Sequence, residues 1–520
     1  MDIASGMTLR SLWDQQARER ADVEFLVFED PDRGSVRRFT YREFDEAIDR
    51  AANVFLARGI GHGDRVAVQT YSSCEFVQCL FALAKIGAVT VPLNSSYTAS
   101  ECLDMAHRCG VRLLVSDAEL FAQEGMEDIS CDVIVVAAED GSAPDPADAR
   151  RRDDWASLVA QASPVLGPCD PVHEDDLAEI MFTSGTASRP KGVMLTHANF
   201  VFSGLYGNWE MGMAREDRFA TAMVTSHVNF QLSALMPVLT AGATLIMLRR
   251  YSATRFWREI RAHRATLVQS MAMMARTMMA QPVDPDERRH HVRDLHYFLP
   301  LADQEKEAFE ERFGVTLLNN YGATETLVGC VTDLPLQPRH WPSIGKAGLG
   351  YEARIVDESG KDAPVGRCGE ILIHGTPGRS LMLGYWQDPE ATAAALDPDG
   401  WYRSGDWGYA DAQGWIYFID RHRDLIKRSG ENVSATEVEN VLMQCPGVAQ
   451  AAVVGVPDPI RDQAVKAVVV LDRSHPATRE QVRAFAAAHL AYFKVPSIVE
   501  IRDDLPRGTY GKVLKNLLKD

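Results

Sequence analysis

The sequence predicts an α/β protein, with a large N-terminal domain of doubly wound α/β sheets that includes a β-rich subdomain, and a small α+β C-terminal domain. Three observations predict this fold class. At 520 residues, the chain is too long for one compact core. Strand-like apolar runs alternate with helical stretches from about residue 8, which indicates a largely parallel sheet covered by helices. The pattern then changes near residue 344 and again near residue 420.

The alternation of strands and helices is clear in the first part of the chain. RVAVQTYS (65–72) has the pattern of a strand, CEFVQCLFALAKIGA (74–88) that of an amphipathic helix, and VTVPLN (89–94) that of another strand. RLLVSD (112–117) continues the series. A polar, Pro-rich stretch at 141–176 interrupts it and is predicted to be a surface excursion. The alternation then resumes with a strand in FATAMVT (219–225) and a helix through Leu239.

The later part of the chain divides into two regions. Residues 344–420 contain short strands between Gly and Pro turns, which predict the β-rich subdomain. Residues 421–520 give two helices and three strands, beginning with the helix SATEVENVLMQC, and predict the small α+β domain. The predicted domains are therefore 1–420 and 421–520, with the boundary near Asp420.

Composition excludes some classes of function. The net charge of −18 argues against nucleic acid as a partner, although a small anionic ligand needs only a local pocket of amides and cations. The nine cysteines form no C-x-x-C pair and are expected to be reduced and packed. No apolar run approaches the ~18 residues of a membrane span, and the first residues lack a signal-peptide pattern. A soluble, cytoplasmic protein is expected.

The most informative segment is EIMFTSGTASRPKGVMLTH (179–197). Small residues expose backbone amides, hydroxyl groups add donors and a lysine supplies a cation, so the segment suits a polyphosphate. The spacing differs from a Walker A loop because Gly192 follows the lysine. By composition alone, a solvated Ser/Thr/Gly turn explains the segment equally well. The candidate phosphate ligands are Thr183, Ser184, Gly185, Thr186 and Lys191.

A second candidate segment is NNYGATET at 319–326. The Tyr321 ring could stack on adenine, Gly322 allows close backbone approach, and Thr324 can donate to a phosphate. The Glu325 carboxylate suits Mg²⁺, which prefers hard oxygen ligands shared with phosphate. Taken alone, the segment is also consistent with a strand and turn whose glutamate faces water.

These two segments resemble motifs of the adenylate-forming superfamily, which includes acyl-CoA synthetases, luciferases and peptide-synthetase adenylation domains. T-S-G-T-x-x-x-P-K-G is similar to its phosphate-loop signature, with Ala187 and Ser188 where the family has Thr-Gly, and 319–326 is similar to its YGxTE motif. Residues 400–406, 421–433 and 505–513 resemble three further motifs in the family's order. Within the superfamily, the chain looks most like carnitine/crotonobetaine-CoA ligases.

The resemblance implies further roles. Asp406 would accept hydrogen bonds from both ribose hydroxyls, Arg421 would contact ribose or phosphate, and Asn320 would belong to the ATP site. Lys512, on a mobile C-terminal domain, would neutralise charge that develops between the carboxylate and the α-phosphate. Arg423 would be the hinge of that domain.

The resemblance also implies a pocket for the acid. The segment TSHVNF (225–230) aligns with a family segment beside the acyl pocket, so His227 is expected to gate the pocket and not to act as a base. No carboxylate is evident among these residues, so the sequence identifies no particular acid. The expected pocket residues are His227, Phe230, Gln231, Met271, Asn319 and Ala323.

The predicted function is ATP-dependent activation of a small organic acid as an acyl-AMP, with release of pyrophosphate and transfer of the acyl group to coenzyme A. The cofactors are ATP and Mg²⁺, and the resemblance leaves a homodimer open. Three alternatives remain, namely transfer to a carrier protein or an amine, adenylation of nitrite for diazotisation of an aryl amine, and a degenerate, non-catalytic binding protein. The residues expected to carry catalysis are Thr183, His227, Glu325 and Lys512.

Overall fold

The computed structural model describes residues 3–136, 152–183, 190–298, 301–335, 337–421, 425–428, 431–458, 462–490, 492–507 and 513–519. Within these ranges the chain forms two compact units. The first unit comprises residues up to 353 together with 373–402, and the second comprises 354–372 together with the residues from 403 onward.

Helices and strands follow one another through most of the described chain. The helices are α1 (Leu9–Glu19), α2 (Tyr41–Ala57), α3 (Cys74–Lys85), α4 (Ala99–Cys109), α5 (Ala118–Phe121), α6 (Trp155–Gln161), α7 (His197–Met211), α8 (Val228–Phe230), α9 (Met236–Ala241), α10 (Phe256–Ala262), α11 (Ala272–Met279), α12 (Asp303–Phe313), α13 (Pro389–Ala395), α14 (Ala435–Met443) and α15 (Arg479–His489). The strands are β1 (Glu24–Asp30), β2 (Ser35–Thr40), β3 (Arg65–Gln69), β4 (Val89–Pro92), β5 (Leu113–Asp117), β6 (Asp132–Val136), β7 (Arg152–Asp154), β8 (Leu177–Thr183), β9 (Lys191–Thr196), β10 (Arg218–Thr221), β11 (Thr244–Leu248), β12 (Leu267–Met271), β13 (Asp294–Phe298), β14 (Thr316–Tyr321), β15 (Val331–Thr332), β16 (Lys346–Ala347), β17 (Glu352–Val356), β18 (Gly369–His374), β19 (Gly384–Tyr385), β20 (Trp401–Ala410), β21 (Ile416–Arg421), β22 (Leu425–Arg428), β23 (Glu431–Ser434), β24 (Val448–Asp458), β25 (Asp462–Leu471) and β26 (Ile498–Ile501).

The first unit contains a nine-stranded sheet in the order β16-β15-β14-β13-β12-β10-β11-β1-β2. The strands from β14 to β1 run parallel to their neighbours, and the outer strands pair antiparallel. The carboxyl ends of β10, β12 and β14 therefore lie at the same edge of the sheet. In open α/β sheets, this edge is where ligands bind.

An eight-stranded sheet also belongs to the first unit, in the order β19-β9-β8-β4-β3-β5-β6-β7. From β8 to β7 its neighbouring strands are parallel, whereas β9 pairs antiparallel with both β8 and β19. This arrangement places the two strands that flank the predicted phosphate loop side by side.

Helices of the first unit pack through large apolar side chains. Almost every residue of α3 is buried, because its sequence is apolar on nearly all faces. The ring of Trp13 lies 4.9 Å from that of Phe25 and 4.7 Å from that of Phe81, which joins α1, β1 and α3. The buried Lys85 ammonium donates hydrogen bonds to the Asp45 carboxylate at 2.6 Å and to the Asp49 carboxylate at 2.7 Å. These ion pairs also join α3 to α2.

The second unit holds two smaller sheets. One has the order β17-β18-β20-β21 and lies largely in this unit. The other has the order β23-β22-β25-β24 with β26 beside β25, and α14 and α15 contribute to its apolar core. The division into units groups part of the predicted β-rich subdomain with the C-terminal residues, and the domain boundary near Asp420 stays a prediction.

Two local predictions differ from the structure. The sequence predicts a surface excursion over 141–176, but β7 extends the eight-stranded sheet beside β6 and leads into α6. Trp155, at the start of α6, is 4% exposed and packs 6.0 Å from the Phe55 ring. The second difference is a π-helix at Gln231–Leu235, inside the predicted helix that ends near Leu239. Among the described residues, no helix is both long and apolar enough to cross a membrane.

Candidate active site

The predicted phosphate loop connects β8 and β9. These strands pair antiparallel, and Thr183 lies opposite Lys191 where the loop begins and ends. The Thr183 hydroxyl donates to the Lys191 carbonyl oxygen at 3.5 Å. Ser184, Gly185 and Thr186 lie outside the described residues. The structure therefore fixes both ends of the loop, one carrying a hydroxyl group and the other an ammonium group.

Tyr385 links the base of this loop to the predicted magnesium ligand. The Lys191 Nζ atom lies 4.7 Å from the centroid of the Tyr385 ring, which is a cation–π contact. The Tyr385 hydroxyl donates to Oε1 of Glu325 at 2.7 Å. Burial and the Glu325 carboxylate both raise the pKa of Tyr385, so the phenol keeps its proton. Tyr385 was not predicted, because β19 has only two residues and no periodic pattern.

The turn after β14 determines the position of Glu325. Strand β14 ends at Tyr321, and Thr324–Thr326 form one turn of 3₁₀ helix. The Ala323 amide donates to the Thr326 hydroxyl at 2.9 Å, which closes the turn. A Cβ atom at position 322 would lie 2.0 Å from the Val328 carbonyl oxygen. A residue larger than Gly322 would therefore clash, because the backbone at this position passes close to the backbone of Val328.

Glu325 is buried and is held through both its backbone and its side chain. It is 8% exposed, and its backbone carbonyl accepts from the Met382 amide at 2.9 Å. Its Oε1 atom accepts from Tyr385. Within the ranges that the structure describes, no hydrogen bond or ion pair is found at Oε2, so this oxygen can accept a ligand. A fixed carboxylate oxygen of this kind suits a hard cation.

The two asparagines of the same segment point into the protein. Asn319 is 6% exposed, and its Nδ2 atom donates to the Ser343 carbonyl at 3.3 Å. Asn320 is 4% exposed, and its Nδ2 atom donates to Nδ1 of His296 at 3.4 Å. A nucleotide contact at Asn320 would therefore come from its backbone.

Residues expected to line the acid pocket lie on segments that converge at one sheet edge. His227 follows β10, Met271 is the last residue of β12, and Ala323 follows β14. The Gln269 amide of β12 donates to the Asn229 carbonyl at 2.8 Å, which ties the His227 segment to that strand. The structure thus brings three of the predicted pocket residues to the carboxyl ends of β10, β12 and β14, which are parallel strands of one sheet.

His227 has the properties of a neutral positioning group. It is the N-cap of α8, where Nδ1 accepts from the Asn229 amide at 3.2 Å. Burial lowers the pKa of His227 to about 4, so the imidazole is uncharged near neutral pH. A group with so low a pKa is a poor general base at that pH, which agrees with the expected gating role.

Phe230 and Gln231 occupy the junction of α8 with the π-helix. Both are fully buried. The Gln231 Nε2 atom donates to the Thr225 carbonyl at 3.2 Å, which fixes the side-chain amide. Single π-turns inside helices are often found at functional sites.

The predicted ribose residues belong to the second unit. Asp406 on β20 and Arg421 on β21 are direct register partners in an antiparallel pair. The Asp406 amide donates to the Ser404 hydroxyl at 3.0 Å. Adjacent strands therefore hold the backbones of the two predicted residues opposite each other.

The remaining predicted residues lie outside the described ranges. They are Arg423, the expected hinge, and Lys512, the expected catalytic lysine. The described flanks of the Lys512 segment form an antiparallel bridge between Arg507 and Val513, and the Leu514 amide donates to the Pro506 carbonyl at 2.8 Å. The segment therefore begins and ends at neighbouring positions.

Solved structures with the same fold define the class of protein. ATP-bound MatB from Rhodopseudomonas palustris is 29% identical, with a TM-score of 0.86 over 99% of this chain and 98% of that chain. The o-succinylbenzoate CoA synthetase MenE from Bacillus subtilis, in complex with its acyl-adenylate intermediate, is 27% identical, with a TM-score of 0.85 over 98% of each chain. The fold is that of adenylate-forming CoA ligases.

Comparisons of the sequence identify the family to which the chain belongs, which is narrower than the class of protein given by the fold. The model of the AMP-binding enzyme family matches residues 13–386, and that of the AMP-binding enzyme C-terminal domain matches residues 437–512. The chain belongs to the AMP-binding enzyme family. Crotonobetaine/carnitine-CoA ligases from Salmonella typhi and Salmonella choleraesuis are each 43% identical to it over 523 residues, covering all of both chains. The predicted fold class and superfamily are confirmed, and so is the predicted enzyme class of AMP-forming acyl-CoA ligases.

Proposed function

We propose that the chain activates a small organic acid with ATP and transfers the acyl group to coenzyme A. The observation that carries this proposal is the link from Lys191 through Tyr385 to Glu325. This link joins the base of the predicted phosphate loop to a buried carboxylate. A site for a polyphosphate and its bound cation needs these two groups close together. Full-length similarity to ligases named for coenzyme A supports the acceptor.

The proposed reaction has two steps. In the first, the acid's carboxylate oxygen attacks the α-phosphorus of ATP, and pyrophosphate leaves. In the second, the sulfur of coenzyme A attacks the carbonyl carbon of the acyl-AMP, and AMP leaves. Neither step needs a covalent bond to the protein, so positioning and charge stabilisation account for catalysis.

The predicted site residues fall into groups, according to the part of ATP or of the acid that each group would bind. Thr183, Ser184, Gly185, Thr186 and Lys191 would bind the phosphates. Tyr321, Gly322 and Thr324, with the Asn320 backbone, would bind the adenine and a phosphate group of ATP. Asp406 and Arg421 would bind the ribose. The acid would lie against His227, Phe230, Gln231, Met271, Asn319 and Ala323.

Mg²⁺ fits the residues present. The Oε2 atom of Glu325 offers a hard ligand, and Mg²⁺ in nucleotide sites commonly takes one or two carboxylates together with phosphate oxygens and water. Among the residues that the structure describes, no group of three His, Cys, Asp or Glu side chains that could hold a metal ion occurs. The metal would neutralise charge on the phosphates.

The C-terminal residues complete the proposal. Lys512 would stabilise the charge that develops in the first step, and rotation about Arg423 would withdraw it before the second. A boundary between residues 420 and 421 belongs to this hypothesis. Cytoplasmic localisation and a homodimer are not needed for it and stay predictions.

A substrate screen tests the proposal. Pyrophosphate release is measured with crotonobetaine, carnitine, short aliphatic acids, aryl acids and nitrite, each with and without coenzyme A. The relatives' name puts the first two acids at the head of the series. We expect at least one carboxylic acid to give pyrophosphate, AMP and an acyl-CoA thioester. Pyrophosphate release with nitrite and with none of the carboxylic acids would contradict the proposal. Formation of an acyl-AMP that coenzyme A does not consume would also contradict it.

A further inference from the structure

A surface cavity of about 400 Å³ lies at the amino ends of parallel strands of the nine-stranded sheet. Among its lining residues, Arg218 is the first residue of β10, Thr266 directly precedes β12, and His291 lies shortly before β13. The predicted acid pocket lies at the carboxyl ends of β10 and β12, so the cavity is at the opposite edge of the sheet. Its volume falls within the ~300–1,000 Å³ of small-molecule sites.

Two arginines of the cavity are held in place by one carboxylate. Arg38 on β2 and Arg218 each donate to a different oxygen of Glu24 at 2.8 Å. Arg218 also donates to the His263 carbonyl at 2.8 Å, and Nη2 of Arg38 lies 3.3 Å from Nδ1 of His263. The other ring nitrogen of His263 is bonded to Glu29, which fixes the imidazole. A guanidinium group has five N–H donors, so both arginines keep donors for a ligand.

The side chains at the cavity carry more positive than negative charge. The guanidinium groups of Arg38, Arg218 and Arg264 are set against two carboxylates, those of Glu24 and Glu216. Glu24 is shared by the first two arginines, and among the described residues Arg264 has no ion pair. Because the whole chain has a net charge of −18, the cavity is a local reversal of charge. A concave site of this kind attracts small anions.

Arg264 occupies a backbone position where glycine is usual. Helix α10 ends in a Schellman motif, in which the Ala265 amide donates to the Ile260 carbonyl at 3.1 Å and the Arg264 amide donates to the Arg261 carbonyl at 3.0 Å. The φ angle of Arg264 is +54°, which is in the left-handed region. In this chain, α4, α7, α9 and α12 each end at a left-handed glycine. The structure therefore keeps an arginine where a glycine would be less strained.

The strained position has a consequence for the cavity. Strained residues persist where the surrounding structure holds them, and they are concentrated at ligand sites. The exposed Arg264 side chain lines the cavity that Arg38 and Arg218 also line. The left-handed turn after α10 thus supplies a third guanidinium group, which glycine could not.

We propose that this cavity binds a phosphate group, held by the guanidinium groups of Arg38, Arg218 and Arg264. The planar fork of arginine donates two parallel hydrogen bonds to phosphate oxygens, so several such groups suit a phosphate dianion. Inorganic phosphate, pyrophosphate and phosphate monoesters share this chemistry. The inference is independent of the proposed function, because the cavity shares no residue with the predicted ATP site.

Equilibrium dialysis with inorganic phosphate, pyrophosphate and glycerol 3-phosphate tests the proposal. Arg264→Gly removes one guanidinium group and gives the Schellman motif its usual residue, so it should unfold at the wild-type temperature or above. We expect at least one of the three ligands to bind wild type with a dissociation constant at least about tenfold lower than in Arg264→Gly. The ligand that binds most tightly identifies the source of the phosphate group. Binding at the predicted ATP site would be common to both proteins and would cancel in the comparison.

A second variant tests the charge of the cavity while Arg264 stays in place. Ala262 is exposed, lines the cavity and is the last residue of α10. Ala262→Glu adds a carboxylate there and should weaken binding by at least about tenfold, because it repels the anion. Ala394→Glu, at an exposed position of α13, is the matched control for an added charge. Arg289→Ala is the control for a lost arginine, because Arg289 is exposed and pairs with Asp286 at 2.8 Å.

Both control variants should bind phosphate as wild type does. Equal binding of all three ligands by wild type and Arg264→Gly would overturn the proposal, and so would a wild type that binds none of them. An Ala262→Glu variant with wild-type affinity would also overturn it. Equal weakening in the controls and in the cavity variants would show that the anion responds to overall charge and not to this cavity, which would contradict the proposal.

Discussion

Tyr385 connects two predicted ligand groups through one side chain, with its ring against Lys191 and its hydroxyl on Glu325. Tyr385→Phe keeps the ring and removes the hydrogen bond to the carboxylate. A hydrogen bond to a charged group contributes about 1.5–3 kcal/mol, so a loss of about tenfold or more in kcat/KM for ATP is expected. Steady-state kinetics of pyrophosphate release measure it.

Tyr409→Phe is a suitable control, because Tyr409 is half-buried on the second unit and stacks on Tyr417 at 4.7 Å. It should retain wild-type kinetics. A Tyr385→Phe variant that is as active as the control would show that the hydrogen bond to Glu325 does not matter for catalysis.

The roles predicted for Glu325 and His227 stay predictions, and the structure describes the surroundings of both side chains. The acidic group of the 319–326 segment is fixed as a site would need, and His227 is neutral, as a gate and not a base would be. The sequence did not predict the direction of the Asn319 and Asn320 side chains. Both turn inward to partners far away in the chain, at Ser343 and His296. Their side-chain contacts depend on tertiary packing.

The turn after β14 depends on one glycine. A methyl group at position 322 would lie 2.0 Å from the Val328 carbonyl, so Gly322→Ala must displace the backbone that carries Glu325. We expect adenylation to fall by at least about a hundredfold, which corresponds to roughly 2.7 kcal/mol of transition-state stabilisation. Pyrophosphate release measures the effect, and circular dichroism confirms folding.

Gly61→Ala is the matched control, because a Cβ atom there would meet no atom within 4 Å. It should leave activity unchanged. Equal activity in the two alanine variants would mean that the turn tolerates the displacement.

Strand β7 and helix α6 form an unpredicted extension of the eight-stranded sheet, and Trp155 buries its ring there. Trp155→Ala should lower the free energy of unfolding by about 3–5 kcal/mol, the usual effect of removing a buried tryptophan ring. Val165→Ala, at a side chain that is 71% exposed, should change it by less than about 0.5 kcal/mol. Urea denaturation of both variants checks this, and similar midpoints would contradict the structural role of α6.

At the scale of elements, the sequence predicted strands and helices that have a clear period. Strand β3, helix α3 and strand β4 lie within the predicted 65–72, 74–88 and 89–94. It missed β7, which has three polar residues and is stabilised by pairing with β6. It also missed the π-helix, because a shift of the hydrogen-bond ladder leaves the apolar pattern of a helix intact.

In the whole molecule, the residues before and after the predicted boundary are proposed to serve different steps of the reaction. Lys512→Ala should slow acyl-AMP formation by about a hundredfold or more, because a charge-stabilising group is lost. It should spare the reaction of preformed acyl-AMP with coenzyme A. Lys519→Ala, at an exposed lysine of the same tail, should affect neither step. Equal slowing of both steps by Lys512→Ala would contradict the division of labour.

The proposed function requires that one chain first adenylates an acid and then transfers the acyl group to a thiol. A single-turnover experiment with an acid found by the screen tests it most directly, with enzyme in excess over ATP and the products analysed by mass spectrometry. We expect acyl-AMP and pyrophosphate to accumulate together without coenzyme A, and added coenzyme A to convert the acyl-AMP to thioester and AMP. Thioester formation with ADP and phosphate, or without any acyl-AMP that can be chased, would contradict it.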